Sequence, residues 1–396
     1  MMKILFWMSG SFDRRTPSEH LLTAMIEALY AKGHTVHIIQ KDTGGPLAEL
    51  PECLKALGVT TTCVPSSMPK KSNFIARYLA DMKYVSKSAH YIKRQDSYEA
   101  VFMQSTNVAG FAIRALKSKT RNACITYNVQ DIFPYNAAYS GSLVRGGIVF
   151  KVFAAIQRYA YKKADYIITI SEDMRDLLVE DGVPREKIEV IYNWNYRDEP
   201  YIPAEVDCTK ARDMFPKDKF NVVYAGNIGV MQNVDVIVSA AELMKDDDGV
   251  QFHIIGDGTY KDKLKRRAEE HGIVNLSFHP MLPSEFAPSI YLTADVNIIP
   301  LVKNVYKTAL PSKTATCFAC GKPIIFCIGK DSKFAQMAYR ETGCQIVESG
   351  DTDGLKNAIL SVMQGTNTSR YGRFFTEKLG KTTNSENYAE IITRNK

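Results

Sequence analysis

The stretch that most constrains the fold runs from Ala164 to Tyr196, ADYIITISEDMRDLLVEDGVPREKIEVIYNWNY. Tyr166–Ile170 is a short β-branched run of the kind that forms a buried parallel strand. Ser171 follows as a helix N-cap, and Glu172, Asp173 and Asp176 put acid near the helix start, where its dipole favours negative charge. Leu177, Leu178 and Val179 supply the apolar face, Gly182 stops the helix and Pro184 opens a turn. Lys187–Tyr192 reads as a second strand, ending at Asn193-Trp194-Asn195. From Arg197 to Lys219 the pattern dissolves around Pro200, Pro203 and Pro216. Strand, helix, strand and then a polar stretch describe the last β-α-β unit of one domain and the hinge to the next.

A chain of 396 residues has room for two or three such domains, and 45% hydrophobic with 23% charged residues is the make-up of a globular protein with a large core. Its 8 cysteines are unevenly spaced, which argues for reduced thiols rather than a disulfide framework. The opening MMKILFWMSG is too short for a signal peptide and suits a first strand. The longest apolar stretch, Gly146–Ile156, is broken by Lys151, so no transmembrane helix is expected. The net charge of +7 is lopsided: residues 1–163 hold 22 of the 50 basic and 10 of the 43 acidic residues. A basic first half points to an anionic partner, whether nucleic acid, membrane surface or phosphorylated substrate, or simply to a solubilising surface.

In chain order, Lys3–Met8 is the first strand and Ser9-Gly10-Ser11 the small-residue loop after it. Thr16-Pro17-Ser18-Glu19 reads as a capping box opening a helix to Lys32, with Thr16 as the cap. Such a loop beside a helix N-terminus is either an anion or substrate site or a tight turn. Thr35–Ile39 is a strand and Lys70–Arg94 a helix with Tyr78, Met82, Val85, Ala89 and Ile92 on one stripe. Val101–Gln104 is a strand, Val108–Leu116 a helix, and Ala123–Asn128 a strand followed by Gln130 and Asp131. A polar pair there lies where α/β sheets bind ligands, although Asp131 could equally cap a turn. Gly147–Lys163 is amphipathic, with Lys151, Arg158 and Lys162 on one face; it either rests on an anionic membrane or packs in the core with its solvent stripe showing.

Beyond residue 219 the alternation restarts. Phe220–Tyr224 is a strand, Ala225-Gly226-Asn227-Ile228-Gly229 a loop, and a helix follows to Leu243. Further strands fall at Phe252–Ile255, Asn275–His279, Asp295–Ile299, Pro323–Cys327 and Cys344–Val347, with helices between them and a last helix from Asn384 to Arg394. The pattern describes two parallel, doubly wound sheets. Asp351-Thr352-Asp353 matches a D-x-D metal motif, but it stands before a helix that Asp353 can cap. Cys317, Cys320, Cys327 and Cys344 lie in apolar surroundings and read as core thiols rather than zinc ligands. Gly256-Asp257-Gly258 lacks the third glycine of a dinucleotide fingerprint. Phe74, Tyr78, Tyr84 and Tyr91 interleave with Lys70, Lys71, Arg77, Lys83, Lys87, Lys93 and Arg94, yet no nucleic-acid module surrounds them.

The string from Ala164 to Ser171, with Val183-Pro184, Lys187-Ile188 and Asn193, resembles the hinge region of family 4 glycosyltransferases. Tyr224–Gly229, Ile255–Gly258, Phe278 with Pro280, Ala294-Asp295 and Ala319–Pro323 match the same family in order and spacing. The resemblance covers the hinge and the second domain closely and the first domain loosely. It implies an α/β GT-B architecture: two doubly wound Rossmann-like domains facing across a cleft. Residues 1–196 would be the acceptor domain, 197–219 a linker, 220–380 the nucleotide-sugar domain, and 381–396 a helix that can return to the first domain. It also implies retaining transfer without a metal or other cofactor.

Residue by residue, the resemblance puts the diphosphate on Gly226, Asn227, Gly229 and Gln232 and on the helix start at Lys307, Ser312 and Lys313. Ser312 would be that helix's N-cap, and His279 and Met281 would touch the base through their backbone. Ser9, Gly10 and Asn193 fall on the acceptor side, and Gln130 and Asp131 beside Lys313 are the candidate catalytic residues, Asp131 orienting the hydroxyl or the sugar. Three departures stand out. Asn227 and Gln232 occupy the family's Arg and Lys positions, and Gln130 that of its usual His. Its paired glutamates fall on Thr308 and Thr316, so ribose recognition must differ. Asn227, Gln232 and Leu310-Pro311-Ser312-Lys313 resemble the branch that builds bacterial capsule, O-antigen or exopolysaccharide, in which Lys313 would neutralise the diphosphate. The expected activity is sugar transfer from a nucleotide sugar to a lipid-linked saccharide, by a cytoplasmic protein peripheral on the inner face of the membrane through Lys151, Arg158 and Lys162, with no nucleic-acid partner. The alternative is an inactive homologue serving as a partner or sugar-binding subunit.

Overall fold

The computed structural model describes residues 1–12, 19–44, 49–69, 74–92 and 98–395. The capping box at Thr16-Pro17-Ser18, and Lys70, Lys71, Lys93 and Arg94, lie outside the described residues. The chain divides into two compact units, residues 1–196 with 381–396, and residues 197–380.

The first unit is a seven-stranded parallel sheet. Its strands are β1 (Lys3–Trp7), β2 (Thr35–Asp42), β3 (Thr60–Pro65), β4 (Ala100–Gln104), β5 (Cys124–Val129), β6 (Tyr166–Thr169) and β7 (Ile188–Val190), in the order β3-β2-β1-β4-β5-β6-β7. β1 carries Ile4, Leu5, Phe6 and Trp7 with no more than 1% exposure, the mark of a strand covered on both faces. On one face the helix Glu19–Ala31 buries Leu22, Met25, Ile26 and Leu29 together with Tyr388, Ala389, Ile391 and Ile392 of the last helix, Lys381–Thr393. The last helix is tied to this unit by Lys381 to Glu27 at 3.4 Å and by Arg394 to Glu189 at 2.8 Å. In the opening motif, Ser171 Oγ accepts from Met174 N at 3.2 Å, and the helix runs over Glu172–Glu180. The expected strand at Lys187–Tyr192 is shorter, because Arg185–Lys187 closes into a 3-10 turn first.

The second unit is a six-stranded parallel sheet of β8 (Phe220–Ala225), β9 (Val250–Ile255), β10 (Leu276–His279), β11 (Val296–Pro300), β12 (Ile324–Cys327) and β13 (Gln345–Val347), in the order β10-β9-β8-β11-β12-β13. Strand order reverses between β8 and β11, and in such sheets ligands bind outside the carboxyl ends at that point. Residues 197–219 belong to this unit and do not stand apart as a connector. Tyr201 N donates to Ala319 O at 2.8 Å, Asp198 O accepts from Thr376 Oγ1 at 3.3 Å, and Thr209–Met214 is helical.

Asp351, not Asp353, caps the helix Thr352–Met363: its carboxylate accepts from Gly354 N at 2.8 Å, and Asp353 falls inside the first turn. Cys317, Cys320, Cys327 and Cys344 are buried free thiols whose pKa burial raises, in keeping with packing residues. Among the described residues no helix is long and apolar enough to cross a membrane, and no group of three His, Cys, Asp or Glu is placed to hold a metal ion.

Candidate functional site

In the second unit the site grows from the end of β8. Its last residues, Tyr224 and Ala225, are core, and Gly226 then turns with φ +146°, a conformation that a side chain disfavours. A Cβ on Gly226 would lie 2.8 Å from Lys313 Nζ, the movable end of a long side chain, so the backbone conformation rather than space asks for glycine here. Gly256, at the end of β9 with φ +154°, has no room for a side chain, since a Cβ there would strike the Gly226 carbonyl. The two loops are laced together by Gly226 N to Ile255 O at 2.9 Å and Ile228 N to Asp257 O at 2.8 Å. Backbone therefore lines this edge of the sheet where side chains would otherwise stand.

Lys313 is the first residue of the helix Lys313–Cys320. Its ammonium sits 3.7 Å from the centroid of the Tyr224 ring, and no carboxylate pairs with it among the described residues. Desolvation lowers its pKa to about 7, with only the Cys317 thiol opposing. A cation held against a glycine turn, beside the unpaired N–H groups of a helix start, is a site prepared for an anion. The other expected cation, Lys307, lies over the Tyr306 ring at 5.9 Å, and nearby Lys303 faces Glu348 at 4.0 Å. Ser312 does occupy the N-cap position, but its backbone is helical and its side chain makes no cap bond.

The Gly226 loop is ordered by its own side chains. Gln232 Oε1 accepts from Asn227 Nδ2 at 3.0 Å and from Gly229 N at 3.2 Å, and Tyr224 OH donates to Asn227 O at 2.5 Å. At the positions of the family's two glutamates, Thr308 is buried and donates to Val305 O at 2.9 Å, whereas Thr316 is half-buried. His279 ends β10; its carbonyl is taken by Gly256 N at 3.3 Å and Lys261 Nζ at 2.9 Å, and Met281 beyond it is 50% exposed. Tyr224 and Lys261 were not singled out in the sequence. Tyr224 reads there as one more strand residue, and Lys261 as one charge among many on a basic helix.

In the first unit the residues past the strand ends form a second group. Ser9 N and Oγ both donate to Gln104 Oε1, at 3.0 and 3.2 Å, and a Cβ on Gly10 would meet nothing within 4 Å. Gln130 is held on three sides: Nε2 donates to Asn128 Oδ1 at 3.0 Å and to Tyr388 OH at 3.3 Å, and Oε1 accepts from Asn193 Nδ2 at 2.8 Å. Its amide thus joins β5, the end of the opening motif and the last helix. Asp131 next to it is solvent-exposed, yet the protein mass around it disfavours its charged form and raises its pKa. The helix Ile148–Lys163 exposes Lys151, Arg158 and Lys162, together with Ile148 at 83%, Val149 at 55% and Val152 at 53%.

Residues 19–194 match the model of a glycosyl transferase 4-like domain, and residues 219–365 that of glycosyl transferases group 1. The chain is 24% identical over 390 residues to the putative colanic acid biosynthesis glycosyl transferase WcaI of Escherichia coli K12, covering 93% of this chain and 95% of that one. It is 27% identical over 215 residues to the probable glycosyltransferase WbjE of Pseudomonas aeruginosa, covering 54% and 53%. Among solved structures, Anabaena Alr3699/HepE, in complex with UDP and glucose, superposes with a TM-score of 0.70 at 16% identity over 98% of this chain and 99% of that one. WaaG, a glycosyltransferase involved in lipopolysaccharide biosynthesis, does so with 0.67 at 13% over 98% and 99%. At these identities the structures speak for the fold, which is GT-B. With both of its Rossmann-like halves matched in order, this chain belongs to the glycosyltransferases that join a 4-like domain to a group 1 domain.

Proposed function

We propose that this glycosyltransferase moves a sugar, with retention, from a nucleoside diphosphate to a hydroxyl of a lipid-linked saccharide during assembly of a surface polysaccharide. The observation that carries the reading is the Lys313 ammonium lodged against Gly226 with no carboxylate partner among the described residues. A departing nucleoside diphosphate gains negative charge as the C1–O bond breaks. A preorganised cation at that oxygen, with the backbone N–H groups at the start of helix Lys313–Cys320, stabilises this charge as it develops. The acceptor oxygen bonds to C1 on the face the diphosphate leaves, and its proton passes to the departing phosphate oxygen. Gln232 and Asn227 hold the loop; Lys307, Ser312 and Thr316 border it. Asp131 orients the attacking hydroxyl, Gln130 and Asn193 keep the Asp131 segment in place, and Ser9 and Gly10 line the acceptor side. No metal is needed, because lysine and the helix start supply the positive potential.

Membrane residence belongs to the same reading. Ile148, Val149 and Val152 project apolar surface, and Lys151, Arg158 and Lys162 expose positive charge on a stripe beside it, the make-up of a helix that rests on an anionic leaflet. The polysaccharide context is supported by the names of the relatives from E. coli and by WaaG. Release of nucleoside diphosphate, followed across a panel of nucleotide sugars with lipid-linked acceptors, tests the activity. Turnover should appear with one donor class and fall about 10- to 100-fold or more in Lys313→Met, the scale of one charge-assisted bond. Turnover unaffected by that change would remove Lys313 from the site.

A further inference from the structure

We infer that the His279 side chain selects the base of the donor, its Nδ1 accepting the ring N–H of a uracil or thymine. The inference rests on the donor reading above and concerns which nucleotide enters that site.

It begins at Asn221, early in β8. Its Nδ2 donates to two backbone carbonyls, Pro216 O at 3.0 Å and Lys219 O at 2.9 Å, and lies 3.3 Å from Asp295 Oδ2. Carbonyls only accept, so the amide is fixed with its oxygen towards His253 Nε2, 3.0 Å away. That nitrogen must carry a hydrogen. His253 is 1% exposed and packs on Phe215 with centroids 4.4 Å apart, and burial keeps the ring neutral, its pKa lowered to about 3. A neutral ring has one N–H, so Nδ1 of His253 is a lone pair. The 3.0 Å contact with His279 Nε2 then requires His279 to donate. His279 is also shifted towards the neutral form, by burial and by Lys261. Its one hydrogen is committed inward, and its Nδ1 is left as an acceptor without a partner among the described residues and within reach of solvent.

The polarity of one asparagine is thus passed through two imidazoles to the sheet edge. There His279 ends β10, two strands from Gly226: β10 pairs with β9 and β9 with β8. Adjacent strands are about 4.8 Å apart, so His279 lies some 10 Å along the edge from the diphosphate turn, within reach of a nucleotide base. Uracil and thymine present one ring N–H between two carbonyls, which matches one lone pair. Cytosine and adenine present a lone pair at the ring nitrogen that would face it, and guanine presents two adjacent donors better met by a carboxylate.

The test is calorimetric binding of UDP, dTDP, CDP, ADP, GDP and 3-methyluridine diphosphate to the full chain, the last lacking only the ring N–H. Wild type should bind UDP or dTDP at least about tenfold tighter than CDP and the methylated analogue. His279→Phe should erase that gap without changing the circular dichroism spectrum, and His279→Asn, which keeps an acceptor near the Nδ1 position, should restore part of it. Equal binding of UDP and its methylated analogue by wild type, a full gap retained in His279→Phe, or preference for GDP, ADP or CDP would each overturn the assignment. Lys313→Met should weaken all six nucleotides alike, so the donor reading fails separately if that variant is without effect; absence of all binding overturns both.

Discussion

With Lys313 as the proposed cation for the diphosphate, the site should have a proton-linked affinity whose size follows from the surroundings of that lysine. In the ligand-free protein its pKa is about 7, because desolvation disfavours the ammonium and no carboxylate offsets it. One negative charge at about 4 Å, at an effective dielectric of about 20, favours the ammonium by ~4 kcal/mol. That raises the pKa in the complex by about 3 units, to about 10. The sign follows from proton uptake. Below pH 7 the lysine is already charged and affinity is flat; between pH 7 and about 10 the complex binds a proton that the free protein has released, and affinity falls about tenfold per unit. From pH 6.5 to 8.5 the dissociation constant of a nucleotide sugar, whose pyrophosphate diester does not titrate there, should rise about 20-fold. Isothermal titration calorimetry in buffers of differing ionisation enthalpy reads both the affinity and the proton taken up. In Lys313→Met the dependence should be flat, with weaker binding at pH 6.5. A wild-type affinity constant within twofold over the range, or the same slope in Lys313→Met, would refute the assignment of the cation.

Gly226→Ala places a methyl group 2.8 Å from Lys313 Nζ, at a φ of +146°, so it should cost about 1–3 kcal/mol of backbone strain and push the ammonium aside. A lower Tm with at least a tenfold loss of nucleotide affinity is expected; wild-type affinity would show that the close approach is unimportant. Replacing Lys151, Arg158 and Lys162 together by glutamine should weaken binding to phosphatidylserine-containing vesicles by about 1 kcal/mol per residue and flatten its salt dependence. Unchanged sedimentation with vesicles would exclude this helix from the interface.

The architecture was largely legible because its signals are local. Ser171 as a cap, the β-branched run before it and the acidic first turn each act within one helical turn, and each is found in place. Other elements gave no such signal. β3 is a half-exposed strand, TTTCVP, with three threonines and no alternation, and the helices Lys333–Thr342 and Tyr371–Leu379 were not recognised either. The D-x-D cap was assigned two residues too late, since either aspartate can precede a helix and only geometry separates them. Of the candidate site, Gly226 and Lys313 were marked by motif spacing, and the structure brings these two together. The side chains that tune it were hidden: Asn221, Tyr224 and His253 sit at the alternating positions of buried strands, where polar residues look like any other core position. Their roles arise from pairings distant in sequence: His253 with His279, 26 residues on, Asn221 with Asp295, 74 on, and Tyr224 with Lys313, 89 on.

The central claim is that the donor's diphosphate rests on the Gly226 turn and Lys313. Hydrogen–deuterium exchange with and without the nucleotide sugar that supports turnover tests it most directly. The expected result is slowed exchange in peptides covering residues 225–232 and 311–316, lost in Lys313→Met. Unchanged exchange in both segments at saturating donor, with protection elsewhere in the chain, would contradict it.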